Sequence, residues 1–153
     1  MGLTIEARYH HDPADPRDED VMQYYFWGGE WADREFGAFQ GPHTSEDGPS
    51  ASMSYYGYVE FRRALGATYL GIETPEGGTP ATPKDDSDPL WKMLCYADNE
   101  GVFGPPMVKR VAARLSALDP AMLAIPWHRE ALAQWVIVFA AAAEYEDGCV
   151  EWG

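Results

Sequence analysis

Two cysteines in 153 residues, Cys95 and Cys149, are too few and too far apart for a disulfide framework. A zinc site would need further ligands at short spacing, and neither thiol has them. Free thiols buried in a reducing cytoplasm are the expectation. Bases are scarce as well: 11 Lys and Arg stand against 25 Asp and Glu, a formal charge of −14. Nucleic-acid affinity comes largely from cations that neutralise phosphates, so direct binding to DNA or RNA is not expected. No apolar run reaches the roughly 18–20 residues of a membrane span. Met1-Gly2-Leu3 passes straight to Thr4 and Glu6 without an apolar h-region, so no signal peptide is expected either. Glycine-rich phosphate loops, nucleophile elbows and helical His-Glu-x-x-His motifs are missing too, and no catalytic residue, metal or cofactor is assigned.

Aromatic side chains are what the chain has in quantity: 6 Trp, 9 Tyr and 6 Phe within a sequence that is 46% apolar. That is enough for one packed core, and the length favours one domain over residues 1–153. The acidity is uneven. Residues 1–50 carry a net −8, residues 51–104 carry −4 and residues 105–153 carry −2.

Alternation over Leu3–Tyr9 predicts a half-buried strand. Residues 10–20, with two prolines and five acids, read as an exposed loop, and residues 41–50 as a polar, turn-rich one. Between them Tyr24, Tyr25, Phe26, Trp27 and Trp31 crowd around Gly28-Gly29 in a short extended element. A helix is expected from about Tyr56 to Leu70, capped by Ser54, with Tyr58, Phe61, Leu65 and Tyr69 on one face. Four prolines and three glycines make residues 71–89 a long loop. Leu90–Tyr96 is a short apolar element, and Pro105-Pro106 opens a helix with Val108, Val111, Ala112, Leu115 and Leu118 on one face. A last helix from Pro126 through Glu144 carries Ala131, Leu132, Trp135, Val138, Phe139 and Ala142, with Val136 and Ile137 suggesting burial nearly all round. Gly148 stops it, and Cys149–Trp152 reads as a closing strand. The class is α+β: a small antiparallel sheet with about three helices packed on it.

Two constellations could carry chemistry. Asp98 and Glu100, in a turn closed by Gly101 ahead of a helix start, could bind a hard cation or supply a general base. The same residues could equally make an Asx turn and satisfy free amides at the helix start. Ser54, Tyr55 and Tyr58 with Arg62 form an aromatic helix entrance that could hold an anion or a planar ligand. Its structural alternative puts Tyr58 in the core and pairs an arginine with an acid, and a bridge from Arg62 to Asp98 or Glu100 would account for both constellations. His10-His11-Asp12 could be a surface metal site or part of a solvated loop, and His43 and His128 stand alone.

Several runs together resemble a group of small proteins of bacteria and their phages that has no assigned activity. They are Met1-Gly2-Leu3; Ser54-Tyr55-x-Gly57-Tyr58-x-x-Phe61-Arg62; and Pro89-Leu90-Trp91-x-x-Leu94-x-x-x-Asp98-x-Glu100-Gly101-x-x-Gly104-Pro105. Trp135-x-x-x-Phe139 and Gly148-Cys149-Val150-Glu151-Trp152 complete the set. The resemblance spans most of residues 51–153 and little of 10–50. It implies one shared fold, a common Tyr-Arg-Asp-Glu neighbourhood and a phage or mobile-element origin, and it implies no reaction.

The leading expectation is a non-enzymatic, acidic, cytoplasmic protein that binds a protein partner, with Tyr24, Tyr25, Trp27 and Trp31 as interface residues. A small-molecule or metal-binding protein, or an enzyme, built on Ser54, Tyr55, Tyr58, Arg62, Asp98 and Glu100 is the alternative. A DNA mimic, with acids spaced along one flat face, is a third.

Overall fold

The computed structural model describes residues 2–11, 44–75, 80–95, 101–146 and 148–153. Across these residues the architecture is α+β, with a four-stranded antiparallel sheet and helices packed against it. The strands are β1 (Gly2–His11), β2 (Thr44–Ser54), β3 (Gly101–Phe103) and β4 (Cys149–Trp152), in the order β2-β1-β4-β3. Four α-helices occur among the described residues, one more than expected. They are α1 (Tyr55–Leu65), α2 (Pro89–Leu94), α3 (Pro105–Ser116) and α4 (Pro126–Ala143).

Strand β1 follows its alternation: Leu3, Ile5 and Ala7 are buried, while Thr4, Glu6 and Arg8 lie between buried and exposed. Strand β2 overturns the reading of residues 41–50 as a loop, because Thr44–Ser50 belong to it. The loop reading failed for an identifiable reason. The register shifts between Glu6↔Ser50 and Arg8↔Asp47, so one extra residue of β2 is accommodated at Gly48-Pro49 as a bulge opposite Ala7. A bulge is a position where a strand tolerates proline. Among the described residues β2 pairs with β1 alone, and the polar composition that looks like a loop also suits an edge strand. His10 and His11 likewise belong to β1 rather than to a loop, with His11 opposite Thr44.

Helix α1 begins where expected. Ser54 accepts a hydrogen bond from the Gly57 amide at 3.0 Å and so satisfies a free donor of the first turn. The helix does not run evenly to Leu70: at Gly66 it widens into a π-helical turn over Gly66–Leu70. Gly71, at φ 63°, ends that turn in the left-handed region that glycine enters without a steric penalty.

The loop reading of residues 71–89 holds for the described part up to Asp88, but Pro89 opens α2. Asp88 caps this helix through the Leu90 amide at 2.9 Å. The short apolar element is therefore Pro89–Leu94. Asp88 also receives a forked ion pair from Arg114 of α3, with Nε 3.0 Å from Oδ1 and Nη2 3.1 Å from Oδ2. One aspartate thus ends the proline-rich loop, starts α2 and fastens it to α3.

Every predicted core position of α3 is buried, and so is each one of α4. The expectation of burial all round α4 does not hold, since Ile137 is 57% exposed and Ala133 and Gln134 are exposed as well. This helix packs against α3 as well as across β1, β2 and β4, and these three positions are left uncovered. Trp135 is the hub: Phe61 meets it edge-on at 5.2 Å and Tyr58 stacks on it at 6.0 Å. Gly148 lies against the Ala142 carbonyl so closely that any Cβ would collide with backbone, which lets the chain turn back into β4. Among the described residues no helix is long and apolar enough to cross a membrane.

Candidate functional site

Half of the expected Tyr-Arg-Asp-Glu neighbourhood is described, and its members have structural duties. Ser54 spends its hydroxyl on the α1 cap. Tyr55 is partly buried against the core, and Tyr58 is buried in the stack with Trp135. Arg62, half-buried on the same helix, donates from Nε to the Leu94 carbonyl at the end of α2, with its guanidinium 6.0 Å from the Tyr58 ring centre. The arginine therefore joins α1 to the corner that leads toward residues 96–100. Asp98 and Glu100 lie outside the described residues, as do the interface candidates Tyr24, Tyr25, Trp27 and Trp31.

Cys95 sits in that corner. Burial pushes its thiol up to about 11, against the opposing pull of Arg62 and Lys92. It is a thiol and not a thiolate at neutral pH, so its nucleophilicity is low. Cys149 is fully buried, and its pairing with Arg8 puts it on the sheet face of Arg8, Glu6 and Glu151 rather than among the helices. Arg8 forms an ion pair with Glu151 at 2.9 Å on that face. Among the described residues no group of three His, Cys, Asp or Glu side chains is placed to hold a metal ion.

The residues that sequence reasoning passed over stand at the N-terminal ends of α1 and α4. Tyr56 is 74% exposed and Trp127 is 40% exposed. The two helix starts are adjacent: a Cβ on Gly57 would lie 3.9 Å from the tip of the Trp127 indole. Ile125, also exposed, immediately precedes α4, and exposed Met122 lies on the 3-10 turn before it. Beneath Trp127 the His128 ring is buried, edge-on to the indole at 4.1 Å and 6.3 Å from Phe61. Its Nε2 has no hydrogen-bond partner among the described residues. Burial holds this imidazole below its ordinary 6.5, and the Glu60 carboxylate pulls weakly the other way. His128, which looked solitary in the sequence, is thus the buried support under an exposed aromatic rim.

Acids accompany both aromatics at helical spacing, Glu60 four residues after Tyr56 and Glu130 three after Trp127. The nearby cations are engaged: Arg129 donates to the Leu123 and Ala124 carbonyls, and Arg63 approaches Glu60 at 3.5 Å. A signal for Tyr56 existed in the sequence, since it falls two residues out of phase with the Tyr58-Phe61-Leu65 stripe and so had to point away from the core. Trp127 gave none in its phase, which is that of buried Ala131 and Trp135; only its place on the first turn of α4 sets it apart. Comparison with protein-family models, with curated proteins and with solved structures finds no match to this chain.

Proposed function

We propose that this protein is a non-enzymatic interaction module that docks onto a partner protein through the Tyr56–Trp127 rim. The observation that carries the reading is the exposure of two large aromatic side chains on the first turns of two adjoining helices. Aromatic anchors of this kind dominate interface energetics, and a rigid support lowers the ordering cost of binding. The rim has rigid support in the Ser54 cap beneath Tyr56 and the buried His128 beneath Trp127. Glu60 and Glu130 beside the anchors, within a chain of charge −14, select a partner with a basic surface around an apolar pocket. In this reading the partner is a host protein.

Capture from a host lysate by wild type, by Tyr56→Ser and by Trp127→Ser tests the reading. The expected result is a partner held by wild type at low salt, weakened at moderate salt and lost with either variant. A partner retained equally by both variants would overturn the assignment of this surface.

A further inference from the structure

The rim has an ionisable group built into its support. His128 stands in the first turn of α4 and is 4% exposed, with its ring edge-on to the Trp127 indole at 4.1 Å. A neutral imidazole suits that place and a charged one does not, for three reasons. Burial strips water from the cation. An imidazolium donates from both ring nitrogens, yet Nε2 has no hydrogen-bond partner among the described residues. The first turn of a helix also carries the positive end of its dipole, and in α4 no acid stands in that turn and Ile125 makes no side-chain cap.

The charged groups around the ring do little to reverse this. From α1, Glu60 pulls toward the charged form, but its carboxylate is shared with Arg63 at 3.5 Å. On α4 itself Arg129 is held by the Leu123 and Ala124 carbonyls, and Glu130 is exposed. The 3-10 turn Pro120–Met122 brings no titratable side chain, and its capping Asp119 is spent on the Ala121 amide. The end of β2 brings Met53 and Ser54, which do not titrate. Helix α3 packs on α4 through apolar side chains and leaves Lys109 and Arg110 exposed.

We infer that His128 is a proton switch beneath the rim: the neutral ring holds Trp127 in its docking position, and protonation releases it, so that acid weakens partner binding. The inference rests on the reading of the Tyr56–Trp127 rim as a docking surface. To find an acceptor for Nε2 the charged ring must leave its place for water or for Glu60, and the indole then loses the surface it lies against. The sign is fixed by the buried state's preference for the neutral ring. The supported indole prevails above the ordinary 6.5 and is lost as pH falls through the lower value of the folded state.

Nuclear magnetic resonance on the protein alone tests the switch between pH 7.5 and pH 5.0. The indole N–H signal of Trp127, identified by its absence from Trp127→Phe, should shift with the same midpoint as the His128 ring. That midpoint should fall further in Glu60→Gln, and the shift should vanish in His128→Gln, whose cooperative unfolding verifies that it is folded. With a captured partner, acidification over the same range should weaken Kd at least fivefold more for wild type than for His128→Gln. A ring that stays neutral to pH 5.0 overturns the inference. So does an indole signal that ignores the titration of His128 or moves equally in His128→Gln, and so does equal weakening of Kd in the two proteins. A partner that Tyr56→Ser and Trp127→Ser both retain overturns the docking reading instead, and leaves the coupling of ring and indole to be read from the resonance titration.

Discussion

Tyr58 and Tyr56 stand two residues apart on one helix and have opposite fates. Tyr58 is 2% exposed and stacked on Trp135, whereas Tyr56 is 74% exposed. The tryptophans of α4 repeat the contrast: Trp135 is buried at the hub, and Trp127, two turns earlier, stands at the rim. Residue type is the same on both sides of the comparison, so chemistry alone does not decide which aromatic holds the fold together. Phase and reach decide it. Side chains that keep the 3.6-residue spacing within the helix body become core, and those that fall off the stripe or stand on the first turn remain available to a partner.

Truncation should separate the two regions most sharply. Trp135→Ala is expected to lower unfolding free energy by about 3–5 kcal/mol, the range for removing a large aromatic from a packed core. Trp127→Ala should cost less, about 1 kcal/mol, because the indole packs over His128 and beside Gly57 yet remains 40% exposed. Denaturation in urea, followed by far-ultraviolet circular dichroism, measures both. Arg114→Ala should have an intermediate effect of about 1–2 kcal/mol, because it removes a charge-assisted fork from the half-buried Asp88 while water can still reach the site. Ser54→Ala should cost about 1 kcal/mol by leaving the first turn of α1 uncapped, and Ser54→Asp should restore most of it.

The support under the rim is open to a pH test. Folding holds the His128 imidazole below its ordinary 6.5, so as pH falls below 6.5 the unfolded chain takes up the proton first. Stability from this residue is therefore fully present above 6.5 and declines as pH falls toward the folded value. The urea midpoint of wild type should drop further between pH 7.5 and pH 5.5 than that of His128→Gln. Equal drops would mean that this imidazole titrates alike in both states.

Much of the helical layer was legible in the residues. The stripes of α3 and α4, the Ser54 cap and the strand of Leu3, Ile5 and Ala7 all follow from spacing and from donors that must be satisfied. Strand β2 was not legible. Its pairing depends on β1, more than thirty residues away in the chain, and a bulge at Gly48-Pro49 conceals it behind turn-forming residues. The reach of Arg62 to the Leu94 carbonyl was visible only as a tendency of an arginine to find a partner; the partner proved to be a helix end, with Asp98 and Glu100 outside the described residues. The π-helical turn at Gly66–Leu70 was illegible for a different reason: no local composition announces one.

One comparison of affinities tests most directly whether the Tyr56–Trp127 rim is a docking surface. With a captured partner purified, calorimetry against wild type and Trp127→Ser should give at least a tenfold weaker Kd for the variant, with a cooperative unfolding transition verifying that the variant is folded. Equal affinity in the two proteins would contradict the claim.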